Sequence, residues 1–192
     1  LKSFLDGEFE YDRKRGEQAL VDLDKPVGAN GGDSNQVLEY ISEEQKKGTI
    51  YDVLLLNCGL HDIRTDVQKK ALQVNRNDYL ENLRKIIIIA REMSSKVIWI
   101  ETTPVYEKVH NAGKILMHRY EKDNADYRAT AYDVMSSAGI PIINLHDFTD
   151  KYCPEAFYDH VHFKEEIREK QAAFITIQLK KFLGTIPTRK EL

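Results

Sequence analysis

Three short apolar runs, each separated from the next by a longer stretch of helical period, constrain this chain more than any other feature. Tyr51 to Cys58 has strand length and reads as a strand buried on both faces, Val97 to Ile100 as a second buried strand and Ile140 to Leu145 as the last strand. Between and after them, Asp78 to Met93 aligns Leu80, Leu83, Ile87 and Ala90 on one helical face. Tyr120 to Ala138 aligns Tyr127, Ala131, Val134 and Ala138, with Gly139 as a natural stop, and Lys164 to Leu183 presents Ile167, Phe174, Ile177 or Gln178, and Phe182. Strands alternating with helices imply right-handed crossovers and a parallel sheet covered on both sides, hence a three-layer α/β/α sandwich.

The N-terminal third is less regular. Leu1 to Arg15 has helix-like spacing of Leu1, Phe4, Leu5 and Phe9, interrupted by Gly7, and Ala19 to Leu23 is a short strand candidate stopped by Asp24-Lys25-Pro26. A glycine-rich turn from Gly28 to Gly32 follows, after which Asp33 or Ser34 can cap a helix running to about Lys47. A chain of 192 residues suits one domain, expected over 1–184, with 185–192 as a polar tail.

Composition excludes several functions. A net charge of -3 with scattered Lys and Arg offers no basic surface for a phosphate backbone, so nucleic acid is not the expected partner. Runs such as Val53 to Leu56 and Ile86 to Ala90 are far too short to span a membrane. Cys58 and Cys153 form neither a disulfide framework nor a metal set, and they leave the compartment, cytoplasmic or secreted, undecided.

In a parallel sheet of this kind, ligands bind outside the carboxyl ends of the strands. The polar loops at Gly31 to Ser34, Gly59 to Asp62, Thr102 to Pro104 and Asp159 to His162 all fall there. An Asp and a His three residues apart can pair so that the carboxylate fixes the imidazole tautomer and the second ring nitrogen takes a proton from a hydroxyl. The same residues also suit a local helix cap. His61 and Asp62 could be an ordinary strand-end pair, or could join His160 and His162 around a metal ion. Tyr106, Tyr152, Phe157 and Tyr158 lie in loops near this rim, where they could stack on a sugar ring or pack the loops down. Gly28, Gly31 and Gly32 lack the spacing of a dinucleotide fingerprint.

Taken in order, these loops resemble the blocks of the SGNH (GDSL-type) serine hydrolases, a family with a flavodoxin-like fold, over nearly the whole chain. The resemblance implies that Asp159 and His162 are the acid and base of a catalytic triad. It implies that Gly59-Leu60-His61-Asp62 stands for the block usually written Gly-X-Asn-Asp, with His61 where the family places an oxyanion-donating Asn. Gly32-Asp33-Ser34 spells the family's nucleophile motif, yet it follows a loop rather than an apolar first strand and stands where the family's oxyanion glycine belongs. Gly32 is therefore expected to supply an oxyanion amide, with Ser34 as a helix cap or neighbour. The nucleophile is then expected before Leu1, together with the central strand of a 2-1-3-4-5 sheet, without which the chain should fold poorly. Two alternatives stay open: another segment fills that slot, or Ser34 is the nucleophile. The activity implied is cofactor-free hydrolysis of an ester of a small acyl group, acetylated carbohydrate being the preferred substrate class among lipase, thioesterase and lysophospholipase relatives. The rivals are a ligand-binding domain of the same fold and a metal-dependent hydrolase.

Overall fold

The computed structural model describes residues 1–14, 31–114 and 116–184. The strand expected at 19–23 lies outside them. Three parallel strands, β1 (Leu54–Leu56), β4 (Val97–Ile100) and β6 (Ile142–Ile143), form a sheet in the order β1-β4-β6. Leu54 pairs with Val97, and Trp99 with Ile142. Helices α2 (Ser34–Lys46), α3 (Arg76–Met93) and α5 (Glu121–Ser137) cover one face, while α1 (Lys2–Leu5), α6 (Leu145–Asp150) and α7 (Glu165–Phe182) cover the other. This is the expected three-layer arrangement.

Alternation along the strands explains why the runs are continuously apolar. Leu54, Leu56, Val97 and Trp99 point toward α2, α3 and α5, whereas Leu55, Ile98, Ile100 and Ile143 point toward α1 and α7. With helices on both sides, every strand position meets an apolar partner. Each large side chain fully buried this way contributes roughly 1.5–3 kcal/mol.

Local chemistry sets the helix ends. Asp33 caps α2: its carboxylate accepts the Asn35 and Gln36 amides at 3.1 and 3.2 Å, and the Gln36 side chain accepts the Asp33 amide at 3.1 Å, a complete capping box. Asn75 caps α3 through the Asp78 amide at 3.0 Å. No side chain caps α7, but Glu165 and Glu166 in its first turn and Lys180 and Lys181 in its last complement the helix dipole.

Several expectations are corrected. Of the helix expected over Leu1 to Arg15, the described residues 1–14 hold only the four-residue α1, because Gly7 turns the backbone at φ 84° and residues 9–14 continue without regular structure. Leu5 still packs against Ile98, Ile175 and Leu179. The strands expected at 51–58 and 140–145 shrink to β1 and β6, and Leu145 opens α6, which the apolar run conceals. On α7 the buried stripe is Ile167, Gln171, Ile175 and Leu179 at fourfold spacing, while Ile177 and Phe182 face solvent. On α3 Tyr79 takes the buried place expected of Leu80. A second sheet was not expected at all: β2 (Thr65–Asp66), β3 (Ala71–Leu72) and β5 (Met117–His118) pair antiparallel in the order β3-β2-β5.

An apolar cavity of about 390 Å³ separates residues 9–14 from β1 and α2, lined by Leu5, Tyr11, Val37, Ile41 and Leu54 among others. Neither Asp159 nor His162 reaches it.

Where β1 ends, the Cys58 carbonyl accepts the Thr102 hydroxyl at 3.1 Å and the Tyr79 hydroxyl at 3.2 Å. The next residue, Gly59, has φ 137°, and a Cβ there would meet Thr102 Oγ1 at 2.7 Å and the Tyr79 hydroxyl at 3.3 Å. Both neighbours are held by their own hydrogen bonds, so a methyl group cannot be accommodated without breaking one. Gly59→Ala is expected to cost about 2 kcal/mol, read as a fall of roughly 4–8 °C in the calorimetric Tm; an unchanged Tm would contradict this close packing.

Candidate active site

The turn at 157–163 follows α6 and leads into α7, on the side of the sheet where the parallel strands end. Asp159 organises it. Its Oδ1 accepts the Val161 amide at 2.8 Å and the His162 amide at 2.7 Å, while Oδ2 accepts the His162 imidazole at Nδ1, 2.7 Å away. The turn is closed by the Tyr158 amide donating to the His162 carbonyl at 2.7 Å, and by Phe157 stacking on Phe163 with centroids 4.8 Å apart. Partial burial of Asp159 opposes ionisation, but the two amides and the imidazole outweigh it and bring its pKa down to about 2. The bond to Nδ1 fixes the ring tautomer with the proton on that nitrogen, which leaves Nε2 as a proton acceptor. His160 reaches the same carboxylate more loosely, with Nδ1 3.8 Å from Oδ1.

The Gly59–Ile63 loop leaves β1 on the same rim. Here the Ile63 amide returns to the Gly59 carbonyl at 3.1 Å and the Arg64 amide to the His61 carbonyl at 3.2 Å, which places His61 at the apex of a tight turn, partly buried. Asp62, the next residue, is wholly buried and accepts the Ser34 amide at Oδ1, 2.9 Å away. Thus the turn carrying Gly32, with φ 76°, abuts the loop carrying His61.

Ser34 is the residue whose structural position departs furthest from a nucleophile's. It is the first residue of α2, has 0% exposure, and its Oγ accepts the Asn82 side-chain amide at 2.9 Å. No hydrogen bond joins it to His162 among the described residues. The hydroxyl is committed to the interior.

A chain of contacts connects the His61 loop to the Asp159 turn. Arg119, beside β5, donates from Nε to the Leu60 carbonyl at 2.9 Å and exchanges two hydrogen bonds with the Asn111 side chain, at 2.8 and 2.9 Å. Asn111 follows α4 (Glu107–His110), whose His110 packs edge-on against Phe157 with centroids 5.0 Å apart. Burial drives the His110 pKa down to about 4, so this imidazole is a neutral packing group at physiological pH. The sequence offers no signal for Arg119, since a lone buried arginine has no period or spacing. Asn124, in α5, donates to the Thr103 carbonyl at 3.3 Å and so steadies the loop after β4. Of the rim aromatics, Tyr106 donates to Asp150 at 3.0 Å, Tyr152 packs on Phe148, Phe157 is buried, and Tyr158 is 79% exposed beside Asp159. No group of three His, Cys, Asp or Glu side chains among the described residues could hold a metal ion. No helix among them is long and apolar enough to cross a membrane.

No protein-family model and no curated protein sequence matches this chain. Solved structures do. The lipase/acylhydrolase from Enterococcus faecalis superposes with a TM-score of 0.60 at 21% identity, over 79% of this chain and 72% of that one. A GDSL-like lipase from Bacteroides thetaiotaomicron gives 0.59 at 17% identity over 79% and 73%, respectively. A catalytic mutant of an acetylxylan esterase from Geobacillus stearothermophilus gives 0.55 at 14% identity over 85% and 74%. The chain therefore has the fold of the SGNH (GDSL-type) acylhydrolases.

The hydrogen bonds to Asp159 make a direct prediction. Carbon-13 NMR of its side-chain carboxyl should show no protonation of the carboxyl itself from pH 8 down to about 4, with that step only near pH 2. The sign follows from the depressed value: the interaction is fully present above the ordinary carboxylate range near 4 and is lost as pH falls through about 2. A midpoint at the ordinary value would show that the amide cage does not hold the ionised form in solution.

Proposed function

We propose that this protein is a serine-type carboxylic ester hydrolase in which His162 is the general base and Asp159 its orienting partner. The observation that carries this reading is the 2.7 Å bond between His162 Nδ1 and Asp159 Oδ2 on the rim of an acylhydrolase fold. A serine hydroxyl attacks the ester carbonyl carbon while His162 Nε2 removes its proton; the carbonyl electrons move onto oxygen. Collapse of this tetrahedral species expels the alcohol, which takes the proton back from His162. Water then attacks the acyl-enzyme by the same route, releasing the acid. Asp159 stays ionised throughout and stabilises the imidazolium.

The Gly32 amide and the His61 side chain are the donors assigned to the developing oxyanion, with Gly59 opening the substrate-binding loop that carries His61. Each well-placed donor of this kind is worth about 3 kcal/mol in the transition state. His61 fits the role because a neutral or charged imidazole has an N–H to give. The burial of Ser34 and its bond from Asn82 argue that it is not the attacking hydroxyl. An ester of a small acyl group on carbohydrate is the substrate class proposed; acetylxylan esterases stand among the proteins of similar fold, beside lipases. The 79% exposure of Tyr158 next to Asp159 suits a sugar face better than a buried acyl tunnel.

A fluorophosphonate probe applied to the natural protein, with the adduct located by peptide mass spectrometry, tests the mechanism. Labelling of a serine other than Ser34, lost in His162→Ala, is the expected result. An adduct on Ser34 would overturn its assignment, and no adduct at all would favour a ligand-binding domain of this fold. With an acetyl ester as substrate, Asp159→Asn should lower kcat by on the order of 10³–10⁴-fold, because the amide would donate to Nδ1 and force the proton onto Nε2.

A further inference from the structure

The Gly32 turn and the His61 loop are far apart in the chain, and a single buried carboxylate joins them. Asp62 Oδ1 accepts the Ser34 amide at 2.9 Å, two residues beyond Gly32, and the Asp62 carbonyl accepts the Val74 amide at 3.2 Å. Around this bond the turn is held on two further sides. Asn82, from α3, donates to Ser34 Oγ and to Asn35 Oδ1, each at 2.9 Å, and Gln73 donates to Asp33 Oδ2 at 2.9 Å. Asp62 Oδ2 is buried without a hydrogen-bond partner among the described residues.

We infer that Asp62 is a positioning residue, a clamp whose ionised carboxylate holds the Gly32 turn against the His61 loop and releases it on protonation. The inference rests on the esterase reading, under which Gly32 and His61 are the two oxyanion donors. One anchor then sets the spacing of both. An ionised carboxylate accepts from Ser34 more strongly than a neutral acid does, so protonation weakens the bonding that crosses between the two loops.

The surroundings make this group responsive in the working range. Among the described residues, the titratable groups that act on Asp62 include Asp33 from the turn, Cys58 at the end of β1, Tyr79 on α3 and Tyr127 on α5. Burial raises the Cys58 thiol and both phenols above their ordinary values, so none of the three ionises at neutral pH. Asp33 adds like-charge repulsion. Burial of Asp62 outweighs the opposing bonds from the Ser34 hydroxyl and amide, and its pKa rises to about 6. For a raised acid the linkage runs in one direction: its contribution to stability is present below the ordinary carboxylate value and is lost as pH rises through about 6. At neutral pH the charge is thus kept at the expense of the fold, the pattern found where a group serves a site rather than the core.

The test is a proton–nitrogen NMR titration of the wild-type protein from pH 4.5 to 8, paired with the pH dependence of fluorophosphonate labelling. The Ser34 and Gly32 amides should titrate together with a midpoint near 6, and the labelling rate should rise through the same step. In Asp62→Asn, with its amide spectrum otherwise that of the wild type at pH 5, the amide step should vanish and labelling should keep only the step set by deprotonation of the His162 base. A Ser34 and Gly32 amide transition that persists in Asp62→Asn belongs to another group, and it overturns the inference. So does a Ser34 amide that moves while Gly32 stays still, or one that does not move at all. Absence of labelling at every pH would overturn the esterase reading instead, and the paired amide titration would then decide the clamp by itself.

Discussion

The double hydrogen bond onto the Cys58 carbonyl is the fixed point of this molecule. Tyr79 arrives from α3 and Thr102 from the loop after β4, so the end of one strand is fastened both to the helical layer above it and to the strand beside it. Gly59 is required at this point because the two hydroxyls already occupy the space a side chain would fill. From here the chain turns through His61 and delivers Asp62 into the interior. The rim loops inherit their positions from that junction: α2 through Ser34, the β5 region through Arg119 and Leu60, and β3 through the Val74 and Gln73 amides.

Polar groups buried at this rim are numerous for a small domain, and most are satisfied by neighbours distant in sequence. Asn82 meets Ser34 and Asn35 across 48 and 47 residues, and Tyr127 donates to the Val74 carbonyl across 53. Arg128 pairs with Glu101 at 3.4 Å and with Asp147 at 3.6 Å, tying the loop after β4 to α5 and α6. Such contacts specify one arrangement of loops, since a shifted loop would leave a buried donor or acceptor unpaired at a cost of about 1–3 kcal/mol. The apolar layers supply the driving force, and the polar ones decide the register.

What the amino-acid order disclosed follows the same division. The layers were readable because burial on two faces imposes a period, and β4, α2, α3, α5 and α7 appear within a residue or two of their expected limits. Elements too short to carry a period were not readable. The two-residue strands of the second sheet have none, and α6 hides in the apolar run of β6, its start marked only by Asn144 accepting the Asp147 amide at 2.9 Å. The Asp159 and His162 pairing was legible because a turn of four residues holds all of its partners. The function of Asp62 in joining two loops was not, since its bond to Ser34 spans 28 residues. Gly32-Asp33-Ser34 shows the opposite hazard: a familiar triplet whose middle residue caps a helix and whose last residue is sealed inside.

The self-sufficiency of the Asp159 turn has an evolutionary consequence. Because Asp159 satisfies the Val161 and His162 amides and the His162 ring from within one stretch of four residues, the Asp159–His162 pair takes its internal geometry from itself. Segments beyond the Tyr158 amide that closes the turn, among them the small antiparallel sheet, can then be lengthened, shortened or exchanged without retuning it. The pair behaves as a portable cassette, and the surrounding loops are the part of the molecule free to diversify.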